Sequence, residues 1–381
     1  MTSLRQHFLL RDDITFLNFG SFGACPRPVF EAYQQFQLEL EQEPVDFLIS
    51  KSPEYLRQAR FALGQYLNCH GDDVVCVMNP SYAVNIVAKS LDLQPGDEVL
   101  TTNLEYGACD RTWRYYCRKK GAIYKQQPIR FPLESREDFI TQFMSGVTER
   151  TRLIFISHIT SSTALRLPVE EICRLARERG IMTFVDGAHG PGQVDVDLTA
   201  MDADIYTGAA HKWMLTPKGS SFLYVRRPIQ HLFDPLVISW GYEAVMPSHS
   251  QFIDYHELQG TRDVSAFCAI PAGIRFMEEH DWTKVAAGCR TMVQANAPVL
   301  NEITGHAPIA PVDDDFTAQM YSAEIDTTNP QQLHDILFHD HKIQVPVMPH
   351  GDKCYIRYSV NAFNTQEDLD RLFAALKKIL K

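Results

Sequence analysis

Lys212 stands in the run ADIYTGAAHKWMLTPKGSSFLYV, behind small residues, between His211 and Trp213, and shortly before an apolar stretch. The commonest role of a lysine is a solvated surface charge, and these neighbours argue against it here. An amine at the edge of a cavity loses solvation. That disfavours the ammonium form and leaves the nucleophilic amine needed to condense with a carbonyl group. Asp186 precedes it by 26 residues, at the end of the apolar run in FVDGAHGPGQ (184–193), and His189 follows on a glycine-rich turn. Open α/β sheets bind ligands beyond the carboxyl ends of their strands, so a carboxylate there is placed to meet a ligand. An isolated Asp-Gly otherwise reads as a turn or a cap. Arg357 interrupts the apolar run CYIRYSV (354–360). A guanidinium buried without an anion is costly. It calls for a planar partner, and a bidentate clamp on an amino-acid α-carboxylate fits better than an internal Arg–Asp pair.

A lysine that condenses with a carbonyl, with an acid for a protonated ring nitrogen, is the arrangement of a pyridoxal phosphate site. Imidazole and carboxylate at His158, His189, His211 and Asp186 offer a competing reading, a hydrolytic zinc or iron centre. No short ligand spacing of a metal motif supports it, and it leaves Lys212 and Arg357 without a task. The expected metal set is none.

Alternating elements must position these residues. SPEYLRQARFALGQYLN (52–68) reads as a helix, VVCVM (74–78) as a buried strand and YAVNIVAKSL (82–91) as the next helix. EVLTT (98–102) precedes a helix over 109–121, and strands over 153–159 and 181–186 flank a helix over 169–180. Apolar strands separated by helices predict right-handed βαβ units in a mainly parallel sheet covered on both faces. From about residue 262 the texture changes to long helical patterns, then strands at 321–326, 343–347 and 354–360, and a closing helix over 365–380. The expected fold is therefore α/β: a large domain over 26–260, a smaller C-terminal α+β domain over 261–381, and a segment 1–25 folding back toward the site.

Composition bounds the rest. A chain of 381 residues is long enough for two cores, and 45% apolar with 22% charged residues is the balance of a globular protein. The net charge of −11 argues against nucleic acid or an anionic membrane as partner. Nine scattered cysteines without a CxxC pair argue against a disulfide framework. They suit a reducing cytosol, and neither a signal core nor a membrane span is evident, so a cytoplasmic location is expected.

VDGAH, then HKW and PKG, resemble the class V aminotransferase group of fold-type I pyridoxal phosphate enzymes, nearest to its isopenicillin N epimerase-like subgroup. The likeness runs from LNFGSFG (17–23) to CYIRYSV. It implies a fold-type I transferase with a seven-stranded type of sheet, pyridoxal 5'-phosphate as cofactor, and a Schiff base on Lys212, which also moves the Cα proton. Asp186 would hold the pyridinium proton, His189 would lie near the ring's phenolic oxygen, and Tyr106 in EYGAC would stack on the ring. A core tyrosine at a helix start is the plainer alternative for Tyr106. MNPSYAVNIV (78–87) matches the phosphate cradle, where a helix N-terminus offers free amides. Ser81 and Tyr82 are the expected donors there, although Ser81 could serve only as a cap. His211 would approach the phosphate. Relatives often carry serine or asparagine where this chain has Ala209, so Thr207 is a substitute donor to consider. Thr261 in QGTRD would reach the phosphate of a second subunit, which implies a homodimer with shared sites. Arg262 is either a second anion contact or part of an ordinary ion pair. Asn18 and Ser21 in NFGSFG, and the segment SWGYE (239–243), would close on substrate.

With that cofactor, substrate amine would displace Lys212, Arg357 would hold the carboxylate, and Lys212 would take the Cα proton. Return of a proton on the opposite face gives epimerisation, for which Tyr106 is the candidate acid. Protonation at the cofactor carbon gives transamination, and loss of sulfur from Cβ gives a lyase. A desulfurase needs a thiol on a loop before the arginine, and IQVPVMPHGDK (343–353) has none. Cys354 reads as a small core residue. Epimerisation is the preferred expectation, with a C–S lyase or an aminotransferase as alternatives.

Overall fold

Runs rich in β-branched and aromatic residues become strands buried on both faces. The computed structural model describes residues 4–380, so residues 1–3 of the expected N-terminal segment, and Lys381, lie outside the described residues. In chain order the strands are β1 (Thr15–Phe16), β2 (Val74–Val77), β3 (Glu98–Thr102), β4 (Ile123–Gln127), β5 (Thr151–Ser157), β6 (Met182–Asp186), β7 (Ile205–Gly208), β8 (Ser221–Val225), β9 (Met320–Glu324), β10 (Ile343–Gln344), β11 (Val347–His350) and β12 (Lys353–Ser359).

Seven of them form one sheet in the order β2-β8-β7-β6-β5-β3-β4. β3, β4, β5, β6 and β7 run parallel, while β8 is antiparallel to both β7 and β2. A parallel return needs a crossover of a dozen or more residues, usually helical. Residues 209–220 form turns around Lys212 instead, so β8 comes straight back beside β7. Val74 and Cys76 join one hydrophobic core, whereas Val75 and Val77 join the other across the sheet. Ile154 and Ile156 divide from Leu153 and Phe155 in the same way. Both faces are covered, as the unbroken apolar runs imply. The edge strand β4, IYKQQ, is partly exposed and carries Lys125, a residue type that discourages edge-to-edge pairing.

β9, β11 and β12 form a separate antiparallel sheet in the order β11-β12-β9. The helix Trp282–Thr304 packs on β9, and the closing helix Gln366–Ile379 packs on that helix. β1 pairs in parallel with β10, which ties the N-terminal segment to the C-terminal part of the chain. Two expected elements differ. The helical pattern from 264 to 280 is split into Ser265–Cys268 and Ile270–Glu279, because Pro271 cannot donate to a continuous ladder. The strand expected over 343–347 is two pieces, β10 and β11, separated at Pro346 for the same reason.

Candidate active site

Asp186 is the last residue of β6, and it lies opposite Ser157 of β5 and Thr207 of β7. The sheet therefore delivers it to the carboxyl edge, where a cavity of about 220 Å³ opens. Lys212, His189 and His211 line this cavity with Asp186, Tyr106, Ser81 and Ser21, whereas Arg357 and Asn18, also expected at the site, are not part of its lining. A larger cleft of about 560 Å³ lies behind Gln193, between Tyr66 and Trp282. It contains no amine beside a buried carboxylate, so the chemistry belongs to the smaller cavity.

Lys212 is held by close backbone packing. Gly23, at φ +66°, passes so near the lysine loop that a Cβ would stand 2.4 Å from the His211 carbonyl oxygen and 2.8 Å from the Lys212 Cα. Only glycine fits both that conformation and that approach. Leu215 closes the turn in the left-handed region at φ +64°, its amide bonded to the Lys212 carbonyl at 3.2 Å. Burial, with help from the Arg357 charge, pushes the Lys212 amine down to about 8. Its Nζ lies 3.3 Å from Nε2 of His189, whose Nδ1 accepts the indole N–H of Trp213 at 3.1 Å. Burial and the Lys212 charge hold His189 well below its ordinary range, so it is neutral.

Asp186 is buried. Its Oδ1 accepts the Ala188 amide at 3.0 Å and its Oδ2 accepts the Cys109 thiol at 3.5 Å. Burial raises its pKa while the Ala188 amide and the Lys212 charge oppose that shift. A protonated ring nitrogen is a fitting partner for such a carboxylate. His211 donates through Nδ1 to the Ser220 carbonyl, 2.8 Å away. A carbonyl only accepts, so Nδ1 carries the proton and Nε2 is left as an acceptor. Burial lowers His211 to about 4.

The helix Pro80–Ser90 points its N-terminus at the cavity. Asn79 caps it through Oδ1, which accepts the Tyr82 amide at 2.8 Å, and Pro80 occupies a first-turn position where no N–H is required. This corrects one expectation: the Tyr82 amide is committed to Asn79, and its hydroxyl donates to Gln259 at 2.7 Å. Tyr82 does not line the cavity, so Ser81 is the first-turn residue left to meet an anion. Thr207 is also corrected. It is fully buried in β7, and its hydroxyl donates to the Phe222 carbonyl at 2.8 Å.

Tyr106 is the N-cap residue of the helix Gly107–Lys120 and is 50% exposed at the cavity mouth, not a core tyrosine. Arg357 is buried on β12. Its Nη1 donates to the Ser161 carbonyl at 2.5 Å and its Nη2 to Asn18 Oδ1 at 3.5 Å, while Nε has no partner among the described residues. No carboxylate pairs with it among the described residues, and burial alone lowers it to about 10. Ser21 donates to the same Asn18 oxygen at 2.7 Å, so Asn18 links Arg357 to a residue of the cavity wall. Thr261 is exposed and does not reach this chain's cavity; Arg262 has no ion pair among the described residues and stacks over Phe267 at 5.1 Å. The segment 239–243 is absent from the lining as well.

Sequence reasoning passed over Glu105, the neighbour of Tyr106. It is buried, accepts Thr102 Oγ1 at 2.7 Å and Ser157 Oγ at 2.5 Å, and is raised to about 7 by burial with a further push from Asp186. A carboxylate just past the strand EVLTT was the available signal. Asn79 was equally legible, since Asn-Pro before an apolar helical pattern marks a capped start. His158 turns its Nδ1 to the Tyr206 hydroxyl at 3.1 Å, and among the described residues no three His, Cys, Asp or Glu side chains converge as a metal site.

The family model for aminotransferase class-V matches residues 23–372. The chain belongs to that family. Its members are pyridoxal phosphate enzymes, and the sheet with its C-terminal layers has the fold-type I architecture. The isopenicillin N epimerase of Amycolatopsis lactamdurans is 32% identical over 99% of this chain and 98% of its own length. An L-cysteine desulfhydrase of Arabidopsis thaliana is 29% identical over 70% of this chain and 61% of its own length. The structure of a cysteine desulfurase from Thermococcus onnurineus NA1 superposes with a TM-score of 0.86 at 20% identity, covering 100% of this chain and 98% of that one. Amine, buried carboxylate and helix N-terminus in one cavity fit the family's cofactor.

Proposed function

We propose that this protein acts at Cα of an amino acid or small amino-acid derivative, with epimerisation as its reaction. The observation that carries the proposal is the meeting of a desolvated amine, Lys212, and a buried carboxylate, Asp186, in one cavity at the carboxyl edge of the sheet. Near-full-length similarity to an isopenicillin N epimerase favours that reaction. When bound, pyridoxal phosphate supplies an electron sink for the bonds at Cα. Lys212 Nζ would hold it, Asp186 would keep a proton on its ring nitrogen, and His189 would donate to its phenolic oxygen. Ser81 and His211 would serve the phosphate, His211 after taking up a proton, and Tyr106 would lie against the ring. Arg357, with Asn18 and Ser21, fixes the substrate carboxylate, and the guanidinium without a counterion supports that assignment. Lys212 would take the Cα proton of the substrate and Tyr106 would return one from the opposite side, so substrate and product would differ only in configuration, with no electron gained or lost.

Cβ elimination is the second reading. Besides Tyr106, the titratable side chains of the cavity wall are Asp186, His189, His211 and Lys212, all assigned above. An elimination needs no second-face acid, because Lys212 alone can move the proton while the Cβ–S bond breaks to give sulfide, pyruvate and ammonia. No cysteine lines the cavity, which disfavours a persulfide mechanism.

The deciding experiment incubates candidate L-amino acids with the enzyme in deuterated water. Deuterium at Cα with inverted configuration supports epimerisation; sulfide with pyruvate supports elimination; a keto acid that requires a second keto acid for turnover supports transamination. Borohydride reduction is expected to attach the cofactor to the peptide bearing Lys212, and Lys212→Ala to abolish turnover. Retained turnover in that variant removes Lys212 from the mechanism. We further propose a cytosolic homodimer in which Thr261 reaches the neighbour's site, and a domain boundary near residue 260, with Ser21 and Phe22 of the N-terminal segment serving as part of the cavity wall.

A further inference from the structure

We propose that Trp213 is a positioning residue that locks His189 in the Nε2–H tautomer and thereby biases the Lys212 amine toward the neutral form that takes up the cofactor. This inference rests on the assignment of Lys212 as the cofactor lysine. The chain of atoms is short: Trp213 Nε1 to His189 Nδ1 at 3.1 Å, then His189 Nε2 to Lys212 Nζ at 3.3 Å. An indole nitrogen is only a donor, so Nδ1 must carry a lone pair. That excludes the imidazolium and the Nδ1–H tautomer together. The remaining proton sits on Nε2 and points at Nζ, where an ammonium, which has no lone pair, cannot receive it. The contact is a hydrogen bond only when the lysine is neutral.

Trp213 is placed to do this because it is fully buried. Its ring packs on Phe19 at 4.9 Å between centroids, and its backbone abuts Gly192. The charged and titratable groups facing the pair are Arg357, which disfavours the ammonium, Asp186, which favours it, Cys109, whose thiol burial keeps protonated and uncharged, and His211, which is neutral. The fixed tautomer adds a further bias toward the neutral amine and leaves an N–H donor aimed at the same spot once Nζ is engaged.

Two measurements test this. Ring-15N histidine labelling of the cofactor-free protein, with His189→Gln to assign the resonance, is expected to show His189 protonated at Nε2 and bare at Nδ1 near pH 7. An Nδ1–H ring or an imidazolium overturns the proposal, and this readout does not depend on the cofactor assignment. The second follows pyridoxal phosphate uptake by absorbance across pH in cofactor-free protein. In Trp213→Phe the ring is free to turn its lone pair to Nζ, so the midpoint of the rate profile is expected to rise by about one pH unit. In a His189→Gln background the same substitution is expected to leave the midpoint unchanged. An equal shift in both backgrounds, or none in either, means that Trp213 only packs. No covalent uptake by the unaltered protein would instead overturn the cofactor assignment.

Discussion

Arg357 carries its charge in the interior without a carboxylate beside it among the described residues, and Nε lacks even a neutral acceptor. A buried charge without a counterion costs stability, so its presence here points to an anion that arrives with the substrate. Arg357→Lys keeps the charge but loses the planar fork, and is expected to lower kcat/KM roughly 10- to 100-fold, mainly through KM. An unchanged KM would remove the clamp assignment. Glu105 makes a second prediction at this scale. Its folded value, about 7, lies above the ordinary 4.5. The native state therefore binds its proton more tightly, and the stability this confers is full at low pH and lost as pH rises through about 7. Glu105→Gln does not titrate, so its stability relative to the unaltered protein is expected to improve between pH 5 and pH 8. Urea midpoints at the two pH values check the sign.

Elements convert residue types into directions. The helix Pro80–Ser90 faces the cavity because Asn79, Pro80 and the apolar face over Ala83, Val84 and Val87 fix both its start and its roll against the sheet. Asn79→Ala removes the bond to the Tyr82 amide and is expected to cost about 1 kcal/mol of stability in urea unfolding of the cofactor-free protein. A loss indistinguishable from zero would mean that the cap is dispensable. The turn over 209–220 does the same for Lys212. Its tight return beside β7, braced by Gly23 from the N-terminal segment, brings an amine and a carboxylate of successive parallel strands to one edge.

At the scale of the whole molecule, several large apolar side chains are left uncovered between residues 238 and 246. Ile238, Trp240, Val245 and Met246 are exposed by 62, 79, 86 and 87%, in the chain segment that leads toward the exposed Thr261. Several large apolar side chains gathered in this way mark an interaction surface. In the homodimer proposed above, a second copy of this chain would cover it. Sedimentation is expected to give a dimer for the unaltered protein and a monomer with impaired turnover for a Trp240→Glu, Val245→Glu double variant. A monomeric unaltered protein that remains active would refute the shared site.

The alternation of elements and the mainly parallel sheet were legible in the sequence, and Lys212, Asp186 and Arg357 stood out there as candidates, because periodicity and misplaced charge are local signals. Pro271 and Pro346, which break two expected elements, are equally local signals. The tertiary structure alone decided which donors are spent. The Tyr82 amide and the Thr207 hydroxyl are occupied by Asn79 and Phe222, and Glu105 and Trp213 enter the site's electrostatics. Hydrogen-bond partnership and desolvation depend on atoms that are distant in sequence and adjacent in space, and no one-dimensional pattern encodes them.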